Sequence, residues 1–275
     1  MNRRLFVTLI FALATAGPHC ASTSAQGLIF SLPEDGTGVV FEGELNQETV
    51  RPELEDGREE FIWTRTLSMK SVGREEAEFE GTMQQCRWIE IKVVTGKSGA
   101  GGIDSGLIGA RIYKFLVPES KVSDAAADAD GIPNSVLPIV RGFRRLGEEP
   151  VEPIKSKGLV VYPTLCLLPN YQSPEVVTES TIVDSLDKEN SFDCRKMQAK
   201  FVRERPDARS TNTGSFWVSS DVPFGLAGWE VKVVRESKGA TDERLTFTPV
   251  GTVICKMQVS EILDFVESEL ITGDR

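Results

Sequence analysis

Apolar and polar residues alternate with a period of two along much of this chain, a pattern that predicts half-buried antiparallel strands. Val39, Phe41 and Leu45 share one side of a segment whose other side carries Glu42 and Glu44. Phe61, Trp63, Leu67 and Met69 stand opposite Glu60, Thr64, Ser68 and Lys70. The same alternation places Ile89, Ile91 and Val93 on one side of residues 87–94, and Trp229, Val231 and Val233 on one side of residues 229–236. Weaker versions of it predict strands over 110–117, 192–202, 215–219 and 245–257.

Two segments have helical spacing instead. Asn134 is placed to cap a helix over 134–146, with Val136, Val140 and Phe143 on one side, Arg144 and Arg145 in the last turn and Gly147 beyond it. Ser260 is placed to cap a second, in which Ile262, Leu263, Val266 and Leu270 form the apolar stripe and Gly273 follows the end. Loops rich in Gly, Pro or charge fall at 96–106, 124–133 and 147–158, none long or biased enough to divide the chain. The expected fold is therefore α+β and β-rich: one domain over 26–275, a curved, half-barrel-like antiparallel sheet with two short helices.

The first 25 residues have the form of a signal peptide. Arg3 and Arg4 give a positive start, the stretch from Leu5 to Leu13 an apolar core, and Thr23, Ser24 and Ala25 a small-residue cleavage site for the export machinery. Ala14-Thr15-Ala16 offers an earlier site, so cleavage is expected between Ala16 and Ala25. Cys20 follows Gly17-Pro18-His19, which lacks the residues of a lipobox. No later stretch reaches the roughly 20 apolar residues that cross a bilayer as a helix. The expected location is periplasmic or secreted.

Cleavage after Ala25 removes His19, the only histidine, and leaves 29 basic against 41 acidic residues. That excess of negative charge opposes nonspecific attraction to nucleic acid. Without an imidazole the chain cannot complete a Ser-His-Asp triad around Asp104-Ser105-Gly106, and a Ser-Lys pair has no identifiable lysine. Gly96-Lys97-Ser98 ends like a phosphate loop, but Ile91 stands where its first glycine belongs. Asp128, Asp130 and Gly131 match the middle of a calcium loop, while Ala126 and Leu137 occupy its outer ligand positions. No metal, cofactor or catalytic motif is complete, so a non-enzymatic protein is expected. Arg141, Arg144 and Arg145 with Phe143 form a compact basic cluster, which at a helix end would complement the helix dipole.

Cys86, Cys166, Cys194 and Cys255 remain after cleavage, an even number that in an oxidising compartment permits two disulfides in three connectivities. None of their spacings has the C-x-x-C form of a zinc or redox site. Buried free cysteines are the alternative, since a chain of this size stabilises its own core.

Residues 31–37, Ser-Leu-Pro-Glu-Asp-Gly-Thr, and 222–227, Val-Pro-Phe-Gly-Leu-Ala, resemble segments of uncharacterised secreted proteins of planctomycete-type bacteria. Arg87-Trp88-Ile89-Glu90 and residues 109–114 extend that resemblance over most of the mature chain. The strand order, the late Pro-Phe-Gly turn and the export signal also resemble the lipoprotein-carrier type of half-barrel. That likeness implies a sheet wrapped around an apolar cavity, with Phe61, Trp63, Leu67 and Met69 directed inward as the candidate lining for a lipid-like ligand. A structural or protein-interaction component of the cell envelope is the alternative.

Overall fold

The computed structural model describes residues 27–122, 137–159, 165–169, 171, 174–239, 241–243 and 245–271. They build one curved antiparallel sheet of twelve strands that does not close on itself. In chain order the strands are β1 (Gly38–Val50), β2 (Arg58–Phe79), β3 (Thr82–Gly99), β4 (Gly102–Asp104), β5 (Arg111–Pro118), β6 (Arg141–Leu146), β7 (Glu152–Pro153), β8 (Glu175–Asp184), β9 (Ser191–Glu204), β10 (Ala208–Val218), β11 (Leu226–Ser237) and β12 (Thr248–Leu263). The spatial order is β7-β6-β5-β3-β2-β1-β12-β11-β10-β9-β8, with β4 folded onto β3. β1 sits at the middle, between its hairpin partner β2 and the late strand β12.

Alternation decides which residues reach the core. On β2, Leu67 and Met69 are fully buried between half-exposed Thr66, Ser68 and Lys70, and on β3 Ile89, Ile91 and Val93 are fully buried on the same face. These side chains define the inner face. Leu28, Ile29, Leu137, Ile139, Leu159 and the segment 165–168 pack down onto it. β1 and β12 approach so closely at Gly43 that a Cβ there would stand 1.9 Å from the Lys256 carbonyl oxygen, which reserves the position for glycine.

Both expected helices are corrected. Among the described residues there is no helix of seven or more residues. Asn134 to Val136 lie outside those residues, and 141–146 forms β6, paired with β5 through Lys114 and Phe143. Pro138 supplies no N–H and disfavours helical backbone at Leu137. Pairing with β5 then satisfies the backbone of 141–146. Strand geometry also splits the expected basic cluster, because Arg141, Phe143 and Arg145 face outward while Arg144 shares the face of Tyr113. Arg141 lies 5.3 Å from the Trp88 ring centroid and pairs with Glu75; Arg144 pairs with Glu152 at 2.9 Å.

At the second site, 260–263 continues β12 against β1, ending at the Gly38 and Leu263 pair. The following residues cross the outer face. Glu90, fully buried there, accepts hydrogen bonds from the Ser268 hydroxyl (2.7 Å) and the backbone N–H groups of Glu269 (3.0 Å) and Leu270 (3.1 Å). Those bonds replace the ones a helix would have made. Lys70 and Lys92 each donate to the Glu269 carboxylate at 2.6 Å. Burial alone would raise that carboxyl's pKa, but the two ammonium groups outweigh it and hold it below the ordinary value. A depressed folded-state pKa means that the clamp's contribution is complete above the ordinary glutamate pKa of about 4.3 and is lost as pH falls through the lower folded value. Hydrogen exchange is therefore expected to show residues 264–271 opening on acidification below that pH while the central strands stay protected.

Candidate functional site

Rows of paired residues run across the inner face and show where the core ends. Arg65, Gly43, Met257, Trp229, Phe216 and Met197 form one continuous row over six strands. The next row outward is Trp63, Leu45, Cys255, Val231, Gly214 and Ala199, and the next Phe61, Gln47, Val253, Val233, Asn212 and Phe201. In the outermost of these the central valines are buried. Its two ends are not: Phe61 is 40% exposed and Phe201 42%.

The four residues expected to line a cavity therefore divide into two pairs. Leu67 and Met69 are wholly covered and belong to the packed core, so no ligand reaches them in this structure. Phe61 and Trp63 lie beyond it, their rings stacked with centroids 5.5 Å apart and planes 14° from parallel. Trp63 is half-buried, and its register partner Leu45 packs against the core edge. Together they make an aromatic shelf on the inner face, continuous with the core and open to solvent.

The shelf is held beside a pinned covering segment. Three side chains from three strands grip consecutive carbonyls: Arg65 Nη1 donates to Leu165 O (2.6 Å), Trp229 Nε1 to Cys166 O (3.1 Å) and Asn212 Nδ2 to Leu167 O (2.8 Å). Asn212 also accepts from the Tyr171 hydroxyl at 2.5 Å, and the Tyr171 ring lies over Gly214, where a Cβ would stand 2.2 Å from its oxygen. Burial pushes that phenol's pKa upward, so the hydroxyl stays a donor.

Arg65 was not among the expected site residues. It stands between Trp63 and Leu67 on the inward side of β2, 3% exposed, with Nε donating to Thr95 Oγ1 at 2.8 Å. Burial lowers its pKa, and Arg111 adds to that effect while the Cys255 and Cys166 sulfurs oppose it. The signal was present in the sequence, since a charged residue at an inward position of an otherwise apolar face departs from the alternation. Along β5 to β7, Tyr113, Arg144 and residues 152–156 line a hollow of about 680 Å³.

Cys86, Cys166, Cys194 and Cys255 are all buried and no two of them are joined in a disulfide, so none of the connectivities considered for them is formed in this structure. Burial raises each thiol's pKa, that of Cys194 to about 11. Such thiols behave as small apolar side chains. Thiol titration of the chain from Gln26 onward is expected to count four reactive groups after denaturation without reductant and almost none before it.

The remaining motifs take ordinary structural places. Lys97 pairs with Asp104 across the β3–β4 hairpin, and the Asp104 carboxylate accepts the Gly106 N–H at 2.9 Å, closing a turn. Asp128, Asp130 and Gly131 lie outside the described residues. Among the described residues no three His, Cys, Asp or Glu side chains cluster as metal ligands. Compared with known proteins, the chain matches no family model and no curated protein.

Proposed function

We propose that this chain is an exported, non-enzymatic binding protein of the cell envelope that takes an apolar, lipid-like ligand against Phe61 and Trp63. The observation that carries the reading is the aromatic shelf itself. Two stacked rings stay accessible on the face that elsewhere forms the core, next to a covering segment pinned by Arg65. Apolar surface left open beside a packed interior is where an acyl chain gains most by leaving water. The leader-like first 25 residues and the resemblance to carrier half-barrels support the same reading.

Native mass spectrometry of protein purified from its own host without detergent tests it. A retained lipid-sized mass is the expected result, and repeated isolation of bare protein would contradict it. The second reading, an envelope component that binds another protein and no small ligand, draws on β8. Among the described residues that edge strand pairs with β9 alone, and it leaves Val177 51% and Ile182 65% exposed. Copurification of a stoichiometric protein partner with no lipid would favour it.

A further inference from the structure

Two guanidinium groups on the inner face, those of Arg65 and Arg111, meet no carboxylate among the described residues. Arg111 opens β5 on the side of Tyr113 and Phe115 and is register partner to the core residue Val93. It makes no side-chain hydrogen bond or ion pair among the described residues. Arg65, two strands away, hydrogen-bonds to a hydroxyl and a carbonyl and to no carboxylate. Carboxylates are not scarce in a chain with 41 acidic residues, and neighbouring Arg144 has its own in Glu152. The two cations lie close enough for Arg111 to disfavour the charge on Arg65. Like charges gathered on a partly desolvated face without an anion are costly, and an anionic ligand group would relieve that cost.

We propose that the ligand is a single-chain amphiphile with an acidic head, its chain against Phe61 and Trp63 and its head at Arg111, with Arg65 behind. This rests on the reading that the aromatic shelf binds an apolar chain. No group among the described residues takes the five N–H donors of Arg111, and a guanidinium can make a bidentate contact with a carboxylate or phosphate.

The test is calorimetric titration of the full mature chain and of Arg111→Gln with decanoate, decyl phosphate and decanol, which share a chain and differ in the head. Wild type is expected to bind at least one acid about tenfold or more tighter than decanol. Which acid gains identifies the head. Arg111→Gln should abolish the advantage, so that the acids bind no tighter than decanol, while Arg111→Lys, which keeps the charge, should retain part of it. Decanol binding as tightly as both acids, or an advantage that survives in Arg111→Gln, overturns the head-group assignment and leaves the shelf reading standing. Failure of wild type to bind any of the three overturns both.

Discussion

Replacing Trp229 by alanine is expected to destabilise the fold by about 3–5 kcal/mol, the usual cost of emptying a large buried aromatic site. Trp229 is 1% exposed at the centre of the inner face, and its ring meets Phe41 edge-on with centroids 4.9 Å apart. The substitution also leaves the Cys166 carbonyl without its indole donor, loosening the segment that borders the aromatic shelf. Urea unfolding should show a large fall in the midpoint with little change in slope. Trp229→Phe refills much of the volume without the donor, so it should cost clearly less. Equal losses would mean that the hydrogen bond, and not packing, dominates at this site.

The second large effect is expected at Glu90. Its carboxylate receives three donors from 268–270 while fully buried, and Glu90→Gln turns an N–H₂ group toward at least one of them. Hydrogen bonds to a charged acceptor contribute about 1.5–3 kcal/mol each, so a loss of that order should be concentrated in the docking of the tail. Phe265, 96% exposed beside the docked residues, provides the readout. Chymotryptic cleavage after it should accelerate in the variant, whereas an unchanged rate would show that Glu90 does not hold the tail.

Strands were legible where one face is buried and the other wet. β1, β2, β3 and β11 announce themselves through Phe41, Leu67, Ile91 and Val231, because a period of two is the direct imprint of a half-buried sheet. The helices failed for a related reason. Val136, Val140 and Phe143 have helical spacing, yet 141–146 is decided by a long-range partner, Lys114 facing Phe143, which no local window contains. Residues 260–270 likewise depend on β1 and on Glu90, far away in sequence.

The site was half legible. Periodicity placed Phe61, Trp63, Leu67 and Met69 on one face, but it carries no information about where the covering segments stop. That boundary, between Arg65 and Trp63, is set by residues 165–168 and separates the shelf from the core. Arg111 was harder still, because the lack of a carboxylate beside it among the described residues is decided by tertiary packing and leaves no local pattern.

The most direct test of the shelf compares two neighbouring residues with opposite orientations. Phe61 and Ile62 are 40% and 57% exposed, so a glutamate at either position should leave the thermal melt nearly unchanged. Only Phe61 lies on the inner face. Titrating a fluorescent acyl probe into wild type, Phe61→Glu and Ile62→Glu should give saturable binding by wild type and Ile62→Glu, with a loss of about tenfold or more in Phe61→Glu from the charge placed where the chain would lie. Well-folded wild type that binds no acyl probe, or two variants that bind as well as wild type, would contradict the account.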